Sequence, residues 1–95
     1  MSSKWLCNVG DKYTYSTRPA GSGSTYLLLQ PYFDGKNVSD DAQCTWHIEL
    51  SNEPDHVVSI KKDSTDTIKV DISAAGALVD IRNTGGWPFY AWTDY

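Results

Sequence analysis

A chain of 95 residues is long enough for one hydrophobic core and too short for two, so residues 1–95 read as a single domain. With 40% hydrophobic and 21% charged residues it has the composition of a globular protein, which excludes extended disorder. The net charge is −4 and the eight Lys and Arg are scattered, so the clustered positive charge demanded by nucleic acids and anionic membranes is missing, and no apolar run is long enough for a spanning helix.

Residues 4–9 (KWLCNV) and 12–18 (KYTYSTR) read as two strands about a turn at Gly10 and Asp11. The opening MSSKWLCNVG has one Lys and no apolar core, so it does not read as a signal peptide. The chain is either made without a leader or begins with Met1, Ser2 and Ser3 in place of one. Residues 19–24 (PAGSGS) form a Gly/Ser loop. Residues 25–33 (TYLLLQPYF) are strand-like, but Pro31 removes a ladder donor and predicts an edge strand or a bulge.

A polar loop follows at 34–43, with room for one helical turn at 38–43 and a glycosylation sequon at Asn37. Residues 44–50 (CTWHIEL) alternate cleanly, placing Cys44, Trp46, Ile48 and Leu50 on one face and Thr45, His47 and Glu49 on the other. After the break at 51–55, residues 56–62 form a strand with Val58 and Ile60 inward. Residues 67–73 and 77–83 alternate again, with Ile68, Val70, Ile72, Val79 and Ile81 inward. Gly76, in the loop at 74–76, supplies a three-residue hairpin turn that would join them. The expected fold class is therefore all-β: a small antiparallel β-sandwich or barrel of about seven to eight short strands.

Cys7 and Cys44 lack the CxxC spacing of a zinc site. A disulfide is the sharper reading and would stabilise the chain by roughly 4 kcal/mol; two buried free thiols are the alternative. A bridge implies an oxidising, secreted or extracellular setting. His47 and Cys44 fall on opposite faces of their strand, which disfavours a Cys–His nucleophile, and there is no GxSxG elbow. Asp40 and Asp41, like Asp63 and Asp66, are loop acids without calcium-loop spacing. The expectation is a protein that is not an enzyme and that needs neither metal nor cofactor.

The last nine residues carry five aromatic side chains: Trp87, Phe89, Tyr90, Trp92 and Tyr95. Alternation puts Trp87 and Phe89 with Ala91, Thr93 and Tyr95, and puts Pro88, Tyr90, Trp92 and Asp94 on the other face. One core cannot easily take both sets. Either a loop such as 19–24 covers the second set, or it stays exposed as a contact surface. The reading favoured is a carbohydrate-binding, lectin-like module in which Trp87, Tyr90 and Trp92 stack on sugar and Asp94 accepts hydroxyl hydrogen bonds. The alternatives are a protein-binding inhibitor, effector or immunity-type protein using the same acidic and aromatic surface, and a structural subunit whose tail locks a homo-oligomer.

Overall fold

The computed structural model describes residues 3–32, 42–61 and 66–95. Among the described residues there are eight β-strands: β1 (Trp5–Cys7), β2 (Lys12–Ser16), β3 (Tyr26–Pro31), β4 (Ala42–Ile48), β5 (His56–Ile60), β6 (Ile68–Asp71), β7 (Leu78–Asn83) and β8 (Phe89–Thr93). They form two four-stranded antiparallel sheets of order β1-β8-β3-β6 and β2-β7-β4-β5. The domain is thus an all-β sandwich, and its strand order is that of a double-sheet jelly roll.

The core lies between the sheets and is built by alternation. Leu27 and Leu29 of β3, and Phe89 and Ala91 of β8, are fully buried against Val79 and Ile81 of β7. In β5 and β6 the predicted inward residues behave as their pattern requires. Ile60 is fully buried, and Val58, Ile68 and Val70 pack against the core. Ile72, just past β6, is 1% exposed.

The arrangement of strands departs from the sequence reading in two places. Residues 67–83 do not form a hairpin, since β6 pairs with β3 while β7 pairs with β2 and β4. The link between β6 and β7 crosses from one sheet to the other. It is held to the β2–β3 link by Ile72 N–H donating to Thr25 O at 3.1 Å, Gly76 N–H to Arg18 O at 2.8 Å and Thr17 N–H to Ala77 O at 2.9 Å. Ser73 and Gly76 take the left-handed conformation, with φ of 56° and 61°, to make that crossing. As expected, β1 and β2 flank a turn at Gly10 and Asp11, closed by Asp11 N–H donating to Asn8 O at 2.9 Å; the two strands lie in different sheets.

Nor is β3 an edge strand. It sits between β8 and β6, and Pro31 is tolerated because it is the last residue, opposite Phe89. The 44–50 alternation ends early as well. β4 stops at Ile48, and Leu50 turns outward with φ of 63° and full exposure. Asn37, Asp40, Asp41 and Asp63 lie outside the described residues, as do positions 38–41 of the proposed helical turn. Ala42 and Gln43 already belong to β4.

The disulfide expectation is corrected: Cys7 and Cys44 are free thiols. They occupy inner faces of opposed sheets, on β1 and β4 respectively. Both thiols are fully buried in the shared interior and stay unbonded there. Burial pushes both thiols up to about 12. The Asp11 charge adds to the shift at Cys7, and Cys7 itself adds to that at Cys44.

Candidate functional site: the outward aromatic face

β8 carries the tail, and its position explains why so many rings fit there. It lies inside its sheet, between β1 and β3, so one side of it faces the core and the other faces solvent across three neighbouring strands. Phe89, Ala91 and Thr93 take the core side, and all are essentially buried. Tyr90 and Trp92 take the outer side, half-buried, two residues apart. Their Cα atoms are therefore about 7 Å apart along the strand.

Residues from the adjoining strands complete the face. Gln30 lies opposite Tyr90, and Leu28 opposite Trp92, on one flank of β8. Leu6 lies opposite Tyr90 on the other flank. Tyr26 and Leu28 of β3 stand opposite Asp71 and Lys69 of β6. Tyr32 meets Tyr90 edge-on, with ring centroids 5.7 Å apart. Lys4, next to β1, holds its Nζ 4.5 Å from the Tyr90 ring centroid and 5.4 Å from that of Trp92, and it donates to Gln30 Oε1. Lys69 places its Nζ 4.1 Å from the Tyr26 ring centroid. The result is a set of rings from two adjacent strands on one sheet face, with an ammonium group over the rings at each end.

The four tail residues singled out from sequence do not all join this array. Tyr90 and Trp92 do. Trp87 packs against the core and its indole N–H donates to Tyr32 O at 2.9 Å, which anchors the segment that leads into β8. Gly85, two residues before it, allows a close approach. A Cβ there would come within 2.5 Å of the Gln43 backbone N. Asn83 finishes the anchor, donating from Nδ2 to Cys7 O at 3.0 Å and to Trp87 O at 2.8 Å.

Asp94 lies at the end of the face, and its carboxylate is already engaged. Its Oδ1 accepts from Arg18 Nη1 and from Tyr26 N–H, each at 2.9 Å, while Arg18 Nη2 donates to Asp94 O at 2.7 Å. Burial by itself would raise the Asp94 pKa. The Tyr26 N–H and the Arg18 guanidinium outweigh it and hold the carboxyl below its ordinary range. Tyr26, Lys69, Lys4 and Gln30 were not among the sequence candidates. Each alternates correctly in its own segment, but only the pairing of β1, β3 and β6 around β8 brings them together.

The histidines lie elsewhere. His47 stands on the outer face of the other sheet, its Nδ1 3.1 Å from Asp55 Oδ1, pointing away from the buried Cys44. His56 stacks on Trp46 at 4.0 Å. Among the described residues no group of three or more His, Cys, Asp or Glu is placed to hold a metal ion. An open cleft of about 230 Å³ is lined by Pro31, Ser59, Ile60, Lys61, Asp66 and Ile68. It is smaller than the usual small-molecule pocket, so the aromatic face is the stronger candidate.

No protein-family model matches the chain, and no curated protein does. Among solved structures, the chain is similar to the capsular polysaccharide assembling protein CapF from Staphylococcus aureus. The TM-score is 0.50 at 11% identity, covering 96% of this chain and 23% of that one. CapF with the inhibitor 3-isopropenyl-tropolone gives the same values. A de novo designed double-stranded β-helix aligns at a TM-score of 0.47 and 13% identity, covering 96% of this chain and 92% of the design. The chain thus spans under a quarter of the CapF chain, and the likeness to CapF is one of fold.

Proposed function

We propose that this chain is a non-enzymatic binding module whose outward aromatic face takes carbohydrate. The observation that carries this reading is the solvent-facing set Tyr90, Trp92 and Tyr26 on neighbouring strands of one sheet. The C–H face of a pyranose is apolar enough to pack on such rings. Its hydroxyls need polar partners within reach, and the Gln30 amide and the Asp71 carboxylate stand in the same rows. Because Asp94 is committed to Arg18, it serves the site by fixing Tyr26 rather than by meeting hydroxyls. An open face without a deep pocket suits the side of a sugar chain better than a single enclosed sugar.

The test is a glycan array with the intact protein beside Trp92→Ala. A defined glycan class bound by the wild type and reduced at least tenfold in the variant is the expected result. The same binding in both proteins would move the site away from this face.

A second reading has its own observation. Leu50 is fully exposed, and the adjoining Glu49 N–H donates to the backbone of Leu78, itself 46% exposed. Both exposed leucines belong to the other sheet's side of the molecule, where they suit a protein partner. Binding of such a partner would be lost in Leu50→Ser and untouched in Trp92→Ala.

A further inference from the structure

The aromatic face does not share the net negative charge of the molecule. The chain has twelve acidic residues and a net charge of −4. On β1, β8, β3 and β6, at outward positions and the residues adjoining each strand, the acids are Asp71 and Asp94 and the bases are Lys4 and Lys69. Asp94 is neutralised by Arg18 at 2.9 Å, and Asp71 accepts from Ser73 N–H at 2.8 Å. The two lysines lie directly on the rings: Lys4 over Tyr90 and Trp92, and Lys69 over Tyr26.

That placement discriminates between sugars. A neutral sugar must displace both ammonium groups from the ring faces and offers them only hydroxyls in return. A sugar bearing an anionic group lays its C–H face on a ring while its charge pairs with the displaced ammonium. Lys4 currently rests on Gln30 Oε1, a neutral acceptor, so exchanging it for an anion is a gain in charge pairing. The two lysines stand on opposite edges of the sheet, at β1 and β6. Their ammonium groups nonetheless both reach β3, Lys4 at Gln30 and Lys69 at Tyr26, four residues or roughly 13 Å apart along that strand, so one ligand touching both must be an oligomer.

Resting on the sugar-platform reading, we propose that the ligand is an anionic oligosaccharide, with its sugar faces on Tyr90, Trp92 and Tyr26 and its charged groups on Lys4 and Lys69. Its anion is a carboxylate or a sulfate, which the test separates.

Titration calorimetry on the full chain would compare oligogalacturonate, the same oligomer with its carboxyls methyl-esterified, and a sulfated dextran oligosaccharide, at low and high salt. At least one anionic oligomer is expected to bind roughly tenfold more tightly than the neutral ester at low salt, with the preference shrinking at high salt. In the double variant Lys4→Gln/Lys69→Gln the preference should disappear while residual binding of the ester remains. Whichever anionic oligomer shows the larger loss identifies the anion. Equal affinity for oligogalacturonate and its ester, with sulfated dextran no tighter, overturns this inference and leaves the platform standing. Failure of all three oligomers and of the glycan array overturns the platform itself. Anion binding that persists in Trp92→Ala and in the lysine double variant overturns the placement of the site.

Discussion

At the residue scale, Asp94 shows how the end of the aromatic face is held. Its carboxylate joins the Arg18 guanidinium to the Tyr26 backbone, tying the β2–β3 link and the start of β3 to the end of β8. Its folded pKa lies below the ordinary value, so this contribution is complete above the unfolded carboxylate pKa, near pH 4. It is lost as pH falls through the depressed folded value, when the carboxyl takes up a proton. Asp94→Asn should cost about 1–2 kcal/mol at pH 7, since charge-assisted hydrogen bonds are replaced by neutral ones at a partly exposed site. The difference from wild type should narrow as the pH drops below 4. Urea unfolding at pH 7 and pH 3 checks it, and an equal difference at both values would show that the charge contributes nothing.

At the element scale, the informative comparison is β1 against β4. Each brings one cysteine to the interior, from opposite sheets, and each thiol has its pKa pushed up to about 12. Thiolate is the reactive form, so neither cysteine should react with a disulfide reagent such as Ellman's at pH 8 while the chain is folded. Both should react within seconds in denaturant. No free thiol in denaturant would mean a bridge, and two fast thiols in the native protein would mean that one sheet edge opens readily.

At the scale of the whole molecule, the tail is a structural centre as well as a surface. β8 joins β1 to β3, and its inner residue Phe89 is fully buried. Losing one buried Phe side chain costs about 3–5 kcal/mol, against a total stability of about 5–15 kcal/mol for a domain of ordinary size. Removing residues 87–95 takes away Phe89, two further core positions and both ladders of a central strand. The shortened chain should show no cooperative thermal transition and should bind a hydrophobic dye in buffer. A sharp melt by circular dichroism would show that β1 and β3 can close the sheet without it. Because the first strand pairs with the last, folding must also close a loop of nearly the whole chain, a topology that folds in milliseconds to seconds.

The division between sequence and tertiary structure follows from what each kind of information can encode. Alternation is local, so the sequence by itself determined that the chain is all-β. It also assigned the inward residues of residues 56–83 and the split of the tail into Phe89, Ala91 and Thr93 against Tyr90 and Trp92. Pairing is not local. A three-residue loop with Gly76 suits a hairpin, yet only the competing partners β2, β3 and β4 show that β6 and β7 belong to different sheets. The spacing of Cys7 and Cys44 allows a bridge, and only the structure shows the two thiols buried and unbonded. The aromatic face divides in the same way. Tyr90 and Trp92 were legible because they are two apart in one strand. Tyr26, Lys69 and Lys4 were not, because nothing in residues 4, 26 and 69 states that their strands will lie side by side around β8.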